Sequence, residues 1–309
     1  MRILVVGAGA VGGYFGGLLA AAGRDVTFLV RERRAAQLAS DGLVVETLDD
    51  RIHLDSPATV TAETLAHHAA DPFDVVVLSV KAFGLEQAVA DIAPAIGPDT
   101  MLLPLLNGLQ HYDRLTEAFG ESPLIGGLCR VATQIGDDGT VRQLLPGASM
   151  AYGELDGSVS PRIHRLDDAM RGAGFDTALS DHIRLDLWEK WFLLASGGAL
   201  TTLVGGDVGE IEAVPNGADT ARAILAEFVA VAAAAGFEPT RDARAAAERT
   251  LTQPGSGFMT STYRDWRAGN EVEADQLLGD LVRRAKSLGV PTPLLAAADA
   301  HLELYRARR

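Results

Sequence analysis

At 309 residues, with 48% hydrophobic and 22% charged side chains, the chain has the composition of a soluble globular protein of about two domains, which excludes wholesale disorder. Its 27 Lys and Arg against 41 Asp and Glu leave a net charge of −14 with no basic run, so phosphate would repel it and neither nucleic acid nor an anionic membrane is expected as a partner. The one cysteine, Cys129, excludes a disulfide framework and any multi-cysteine metal site; no metal is expected, and a reducing cytoplasm fits.

The chain opens on Arg2 and an apolar run too short, and too soon followed by glycine, for a secretory signal. No uncharged apolar stretch reaches the roughly 18 residues a membrane span needs. Residues 3–6 read as a strand buried on both faces, 7–13 as a glycine-rich loop, and the following stretch as a helix through Ala22 stopped by Gly23. A second strand is predicted at 26–30 and a short exposed β pair at 43–47 and 52–54. Strand 75–80, helix 84–93 stopped by Pro94, and strand 101–106 ending at Asn107-Gly108 continue the pattern. Further β is predicted at 124–134, 140–145 and 149–152. This alternation of strand and helix predicts an α/β domain built on a doubly wound parallel sheet.

After about Ser180 the pattern becomes helical, at 181–194, 215–235, 241–251, 272–288 and 293–306. The boundary therefore falls at 175–182, dividing an α/β domain, 1–178, from an all-helical domain, 179–309. A cleft between two such domains is the default place for a ligand. The alanine-rich stretch 218–235 reads either as core or as the contact face of a homodimer.

Gly7-Ala8-Gly9-Ala10-Val11-Gly12 spells G-x-G-x-x-G between a buried strand and a helix, the context that makes this motif informative. Gly7 allows the tight turn, Gly9 leaves the backbone bare for a pyrophosphate, and Gly12 lets the helix approach the strand. The helix start at Ala10 and Val11 supplies N–H groups and a partial positive charge to the phosphates. A dinucleotide is thereby expected. NAD-binding proteins usually carry Asp or Glu after the second strand; here Val30 leads into Arg31, with Arg33 and Arg34 close behind. A guanidinium can fork onto a 2′-phosphate, which points to NADP(H), with Glu32 read as facing outward.

Two residues end parallel strands, where ligands of such sheets bind: Lys81, for cofactor phosphate or ribose or for substrate, and Asn107, whose amide suits a place near a nicotinamide. In the second domain Lys190 stands among Trp188, Trp191 and Phe192. Partial desolvation there would ease loss of its proton, which suits a ketone oxygen gaining negative charge during reduction. Ser261, in the cluster 260–265, could cap a helix or bind a carboxylate, and Glu273 could hydrogen-bond a substrate hydroxyl and orient Lys190.

The order of these features resembles the ketopantoate reductases (2-dehydropantoate 2-reductases) along nearly the whole chain. The resemblance rests on Gly7-x-Gly9-x-x-Gly12, Arg31, Lys81, Asn107-Gly108, Trp188-x-Lys190, Ser261-x-x-x-Asp265 and Glu273-x-Asp275. It implies a Rossmann-type domain followed by a helical one, NADPH as hydride donor and reduction of a small 2-keto acid. It further implies Lys190 as general acid, Glu273 as its assistant, Ser261 at the substrate carboxylate, and Asn107 beside nicotinamide and substrate. The family typically carries asparagines four and eight residues after the lysine; here Leu194 and Gly198 stand there. Lys190, Leu194, Gly197 or Gly198, and Thr201 share a helical face, so Thr201 is the one hydroxyl left to compensate. A less polar keto acid or ketone therefore competes with ketopantoate as substrate. Another Rossmann dehydrogenase with a helical second domain, of the 3-hydroxyacid or opine type, and a non-catalytic NADP(H)-binding redox sensor are the alternatives.

Overall fold

The computed structural model describes residues 1–67 and 72–309. The chain divides into two compact units, Met1–Leu106 with His111–Ile183, and Asn107–Gln110 with Arg184–Arg309.

The first unit begins β1 (Arg2–Val6), α1 (Ala10–Ala21), β2 (Asp25–Leu29), α2 (Glu32–Asp41), β3 (Leu43–Glu46), β4 (Arg51–Leu54), β5 (Ala58–Val60) and α3 (Ala62–Ala66). It continues with β6 (Val75–Leu78), α4 (Leu85–Ile92) and β7 (Met101–Pro104). Five of these strands form a sheet in the order β5-β2-β1-β6-β7, parallel throughout, with Ile3 opposite Val26 on one side and Val75 on the other. The central strands lie between two hydrophobic layers, which is why β1, β6 and β7 are almost continuously apolar. Alternate residues serve each layer: Ile3, Val5, Val75 and Val77 pack with Phe15 and Leu18 of α1, whereas Leu4, Val6, Val76 and Leu78 pack with Leu85 and Ile92 of α4. Strand order reverses at β1 and β6, and the residues that follow both strands lie at that switch point.

The rest of this unit is α5 (Gln110–Phe119), β8 (Ile125–Arg130), β9 (Thr133–Ile135), β10 (Val141–Gln143), β11 (Ser149–Glu154), α6 (Pro161–Met170) and β12 (Asp176–Leu179), of which the first residue of α5 belongs with the helical unit. The β predicted over 124–134 is two strands in different sheets. β8 joins β11 and β12, whereas β9 joins the sheet β4-β3-β10-β9. The break falls where the buried run 125–129 gives way to exposed Arg130. Helices α2, α5 and α6 were not expected from periodicity. α2 buries Leu38 alone and α5 only His111 and Leu115, so neither has an apolar stripe to read.

The second unit holds α7 (Ile183–Val204), α8 (Val208–Glu212), α9 (Gly217–Ala234), α10 (Arg241–Leu251), α11 (Ser261–Arg267), α12 (Asp280–Ser287) and α13 (Pro293–Ala307), with no strand among its described residues. α7 runs ten residues beyond the predicted end at 194, through Gly197-Gly198. Glycine costs a helix roughly 1 kcal/mol relative to alanine, but burial of Ala195, Ala199 and Leu200 in the helical core outweighs that local preference. α9 sends Ile224, Leu225, Phe228 and Val231 into the same core. The helix predicted over 272–288 instead starts as a π-helical turn at Asp275–Gly279 that passes into α12. Among the described residues no helix is long and apolar enough to cross a membrane.

Candidate active site

The glycine loop is built as its sequence demands. Gly7 has φ +92°, a left-handed value that suits glycine, and its N–H donates to the Leu29 carbonyl at 2.9 Å. A Cβ on Gly12 would overlap the Gly7 carbonyl oxygen and Ser79 Oγ, so close approach of α1 requires glycine there. Ser79, at the end of β6, braces the loop by donating its hydroxyl to the Val6 carbonyl at 2.8 Å. A Cβ on Gly9 would meet nothing within 4 Å. Gly9 is the N-cap of α1 and no side chain caps the helix, nor does its first turn hold an acidic residue. The N–H groups that open α1, at Ala10 and Val11, therefore face no side-chain competitor, and a dinucleotide pyrophosphate fits this loop.

Arg31 is the N-cap residue of α2. It is exposed, and its guanidinium has no hydrogen-bond or ion-pair partner among the described residues. Arg34 is differently placed: its guanidinium donates to Gln37 Oε1 at 2.7 Å and to the Gly139 carbonyl at 3.3 Å, and burial pulls its pKa down. The structure thus commits Arg34 to internal partners and leaves Arg31, the arginine the sequence puts forward, exposed. Glu32 is exposed in the first turn of α2, where a negative charge is favourable. Lys81 is exposed after β6, its ammonium 5.9 Å from the Phe83 ring centroid.

In the helical unit, the aromatic residues flanking Lys190 belong to the core rather than to a cage around the lysine. Trp188 is 4% exposed and Trp191 1%; Trp188 stacks on Phe237 with centroids 5.7 Å apart, and Trp191 meets Phe228 edge-on at 5.6 Å. Lys190 is half-buried off that apolar stripe. Farther along the lysine's own face of α7, a Cβ on Gly197 would lie 3.2 Å from Thr260 Cγ2, and one on Gly198 would lie 3.8 Å from Thr260 Oγ1. Thr260 caps α11 by accepting the Tyr263 N–H at 3.3 Å, and exposed Ser261 is the first residue of that helix. The lysine-bearing face and the Ser261 helix start are therefore neighbours. Thr201 is not brought to them as an available group. It is 0% exposed, and its hydroxyl donates at 2.7 Å to the Gly197 carbonyl, the usual outlet for a buried mid-helix threonine.

Glu273 is half-buried just ahead of the π-helical turn. Three contacts hold that turn. Trp191, next to Lys190, donates its indole N–H to the Leu277 carbonyl at 3.0 Å. Gly108, next to Asn107, has φ +79° and packs so closely that a Cβ would overlap the Gln276 carbonyl oxygen. Asp275 accepts from Gln110 Nε2 at 3.1 Å on one oxygen and from Arg283 Nη1 at 2.6 Å on the other. Burial pushes the Asp275 carboxyl pKa up, but these two donors outweigh it and hold it below the usual carboxylate range. Asn107 is half-buried, and its carboxamide has no hydrogen-bond partner among the described residues. The elements that carry Lys190, Glu273 and Asn107 thus converge on one turn. Gln110, Arg283 and the bracing role of Ser79 escaped the sequence reading, because a π-helical turn leaves no periodic signal and each contact joins distant segments.

Comparison with known proteins agrees along the whole chain. The family model described as ketopantoate reductase PanE/ApbA matches residues 3–157, and the one for its C-terminal part matches residues 182–305. The chain is 34% identical over 309 residues to the uncharacterized oxidoreductase YkpB of Bacillus subtilis, covering 100% of both proteins. It is 27% identical to a 2-dehydropantoate 2-reductase of Mesorhizobium japonicum, covering 99% of this chain and 97% of that one. Among solved structures, a PanE/ApbA family ketopantoate reductase from Ralstonia eutropha superposes with a TM-score of 0.87 at 27% identity, covering 100% and 99% of the two chains. A D-mandelate dehydrogenase solved with NADH and anilino(oxo)acetate gives the same TM-score of 0.87 over 100% and 99% of the chains, at 23% identity, a likeness of fold. With its Rossmann-type parallel sheet followed by a helical unit, and with both halves matched, this chain belongs to the ketopantoate reductase family of oxidoreductases.

Proposed function

We propose that this protein is an NADPH-dependent reductase of a small 2-keto acid, a 2-dehydropantoate 2-reductase-like enzyme. The observation that carries the reading is the convergence of the Lys190 helix, the Glu273 segment and the Asn107 segment on one turn. The bare loop at Gly9 and the open start of α1, Ala10 and Val11, hold the pyrophosphate, with Gly7 and Gly12 shaping the loop. Arg31 pairs the 2′-phosphate, and Lys81 contacts phosphate or ribose. When bound, the reduced nicotinamide supplies the hydride. Lys190 gives its proton to the ketone oxygen as negative charge builds there. The Glu273 carboxylate accepts a hydrogen bond from the resulting hydroxyl and orients the lysine. Ser261 donates its hydroxyl to the substrate carboxylate, and the Asn107 carboxamide, which has no partner among the described residues, bridges substrate and nicotinamide. Thr201 has no part in this scheme, because its hydroxyl is already given to the helix.

Leu194 and Gly198 leave the lysine's face without amides, so the pocket favours an apolar side chain on the keto acid over the hydroxylated chain of ketopantoate. Cys129, the one cysteine of the sequence, is buried, which suits work in a reducing cytoplasm. The test is NADPH oxidation, followed by absorbance, with ketopantoate, 2-oxoisovalerate and phenylglyoxylate. Turnover of at least one is expected, fastest with an apolar member, and a 2-hydroxy acid is the product. Tight NADPH binding without turnover of any 2-keto acid would refute the reading and favour a sensor.

A further inference from the structure

We propose that Asp275 is a positioning residue that sets the spacing between Asn107 and Glu273, an inference that rests on the catalytic reading above. Among the described residues Asn107 has no hydrogen-bond partner with which to aim its carboxamide, so its direction is inherited from its backbone. That backbone is held one residue on, where Gly108 lies flush against the Gln276 carbonyl, and three residues on, where Gln110 donates to Asp275. Glu273 stands two residues ahead of Asp275 and enters the same turn. One carboxylate therefore ties both reacting positions to a single rigid point. Its second oxygen is anchored by Arg283 of α12, so the clamp does not swing with the Gln110 side chain. Hydrogen bonds to an ionised acceptor are about twice as strong as neutral ones, which fits a clamp better than a neutral amide pair would. The π-helical turn has a use in this arrangement. Within it the Gln276 and Leu277 carbonyls meet Gly108 and Trp191, so the turn carries both contacts.

A role in geometry and a role in stability predict different results. In Gln110→Ala the clamp is lost while Arg283 keeps the Asp275 carboxylate satisfied. Amide hydrogen exchange at residues 108–110 is expected to speed up about tenfold. Turnover of the best 2-keto acid from the panel is expected to fall roughly 10–100-fold, with KM for NADPH and Tm unchanged, since small misplacements are costly for oriented reactions. Gln110→Lys, which restores a donor to Asp275, should recover most of the rate. Gln110→Glu, of similar length but like charge, should not. Unchanged exchange in Gln110→Ala would overturn the clamp. Faster exchange with unchanged kcat, or a rate loss that tracks Tm and resists rescue by Gln110→Lys, would overturn the positioning role. Lys190→Ala measured alongside separates the two readings: if it turns over like the wild type, the catalytic assignment fails, whereas the exchange result still judges the clamp on its own.

Discussion

Lys190 and Arg31 are both cations, yet the scheme asks opposite things of them: one must give up a proton, the other must never do so. Lys190→Ala is expected to lower kcat by about 10²–10⁴-fold without weakening NADPH, measured by turnover and by cofactor titration. Lys190→Arg should be nearly as slow, because a guanidinium keeps its charge but does not act as an acid near neutrality. Arg31→Ala is expected to weaken NADPH by about 1.5–3 kcal/mol and to leave NADH nearly unaffected in parallel titrations. Equal weakening of both would show that the side chain does not read the 2′-phosphate. The place of Arg31 between β2 and α2 was legible in the sequence because position after a strand is a local property. That Arg34 is committed elsewhere was not, since its partner Gly139 lies more than a hundred residues on.

At the scale of elements, the first strand–loop–helix separates two glycines of one motif. Gly12→Ala places a methyl against a backbone oxygen and the short Ser79 side chain, so α1 must shift. It should lower stability by about 1–3 kcal/mol in denaturant unfolding. Gly9→Ala adds its methyl to open space, so unfolding should stay within about 0.5 kcal/mol of wild type while NADPH-induced stabilisation is lost. Melts with and without cofactor separate the two. The G-x-G-x-x-G pattern assigns Gly12 to close packing and Gly9 to the ligand; the crowding at Gly12 agrees with the first, and the open space at Gly9 leaves room for the second. The helix expected over 272–288 teaches the same lesson in reverse. Its apolar spacing is real, but Trp191 and Gly108 press on its start, and a π-helical turn there satisfies contacts that periodicity does not encode.

Across the whole molecule, stability against pH should reflect buried carboxyls of opposite sign. Asp299 is half-buried, with one oxygen lacking a hydrogen bond among the described residues. Burial first, then the charges of Glu303 and Asp275, push its pKa up. Its folded value lies above its unfolded one near 3.9, so below about pH 4 it is protonated in both states and imposes no penalty. As pH rises through the folded value the penalty grows. Asp299→Asn should therefore melt higher than wild type at pH 7, with the gap closing toward pH ~3.5 in thermal scans. A gap independent of pH would assign the effect to shape. Glu154 works the other way: burial raises its pKa, but Arg162, at 2.6 and 2.8 Å, and Ser160 outweigh it. Its contribution is present above the unfolded value near 4.3 and is lost as pH falls through the lower folded value.

The amino-acid order alone determined the α/β-then-helical plan and singled out the glycine loop and Lys190 as candidates, because each is written within one turn or one strand of chain. Tertiary structure decided what those residues can reach. It took Thr201 and Arg34 out of contention, placed Trp188 and Trp191 in the helical core, and joined Gln110 to Asp275 and Gly108 to Gln276. Such pairings depend on loop closure over long separations, and no local propensity or periodicity reports which distant backbone will arrive at a given side chain.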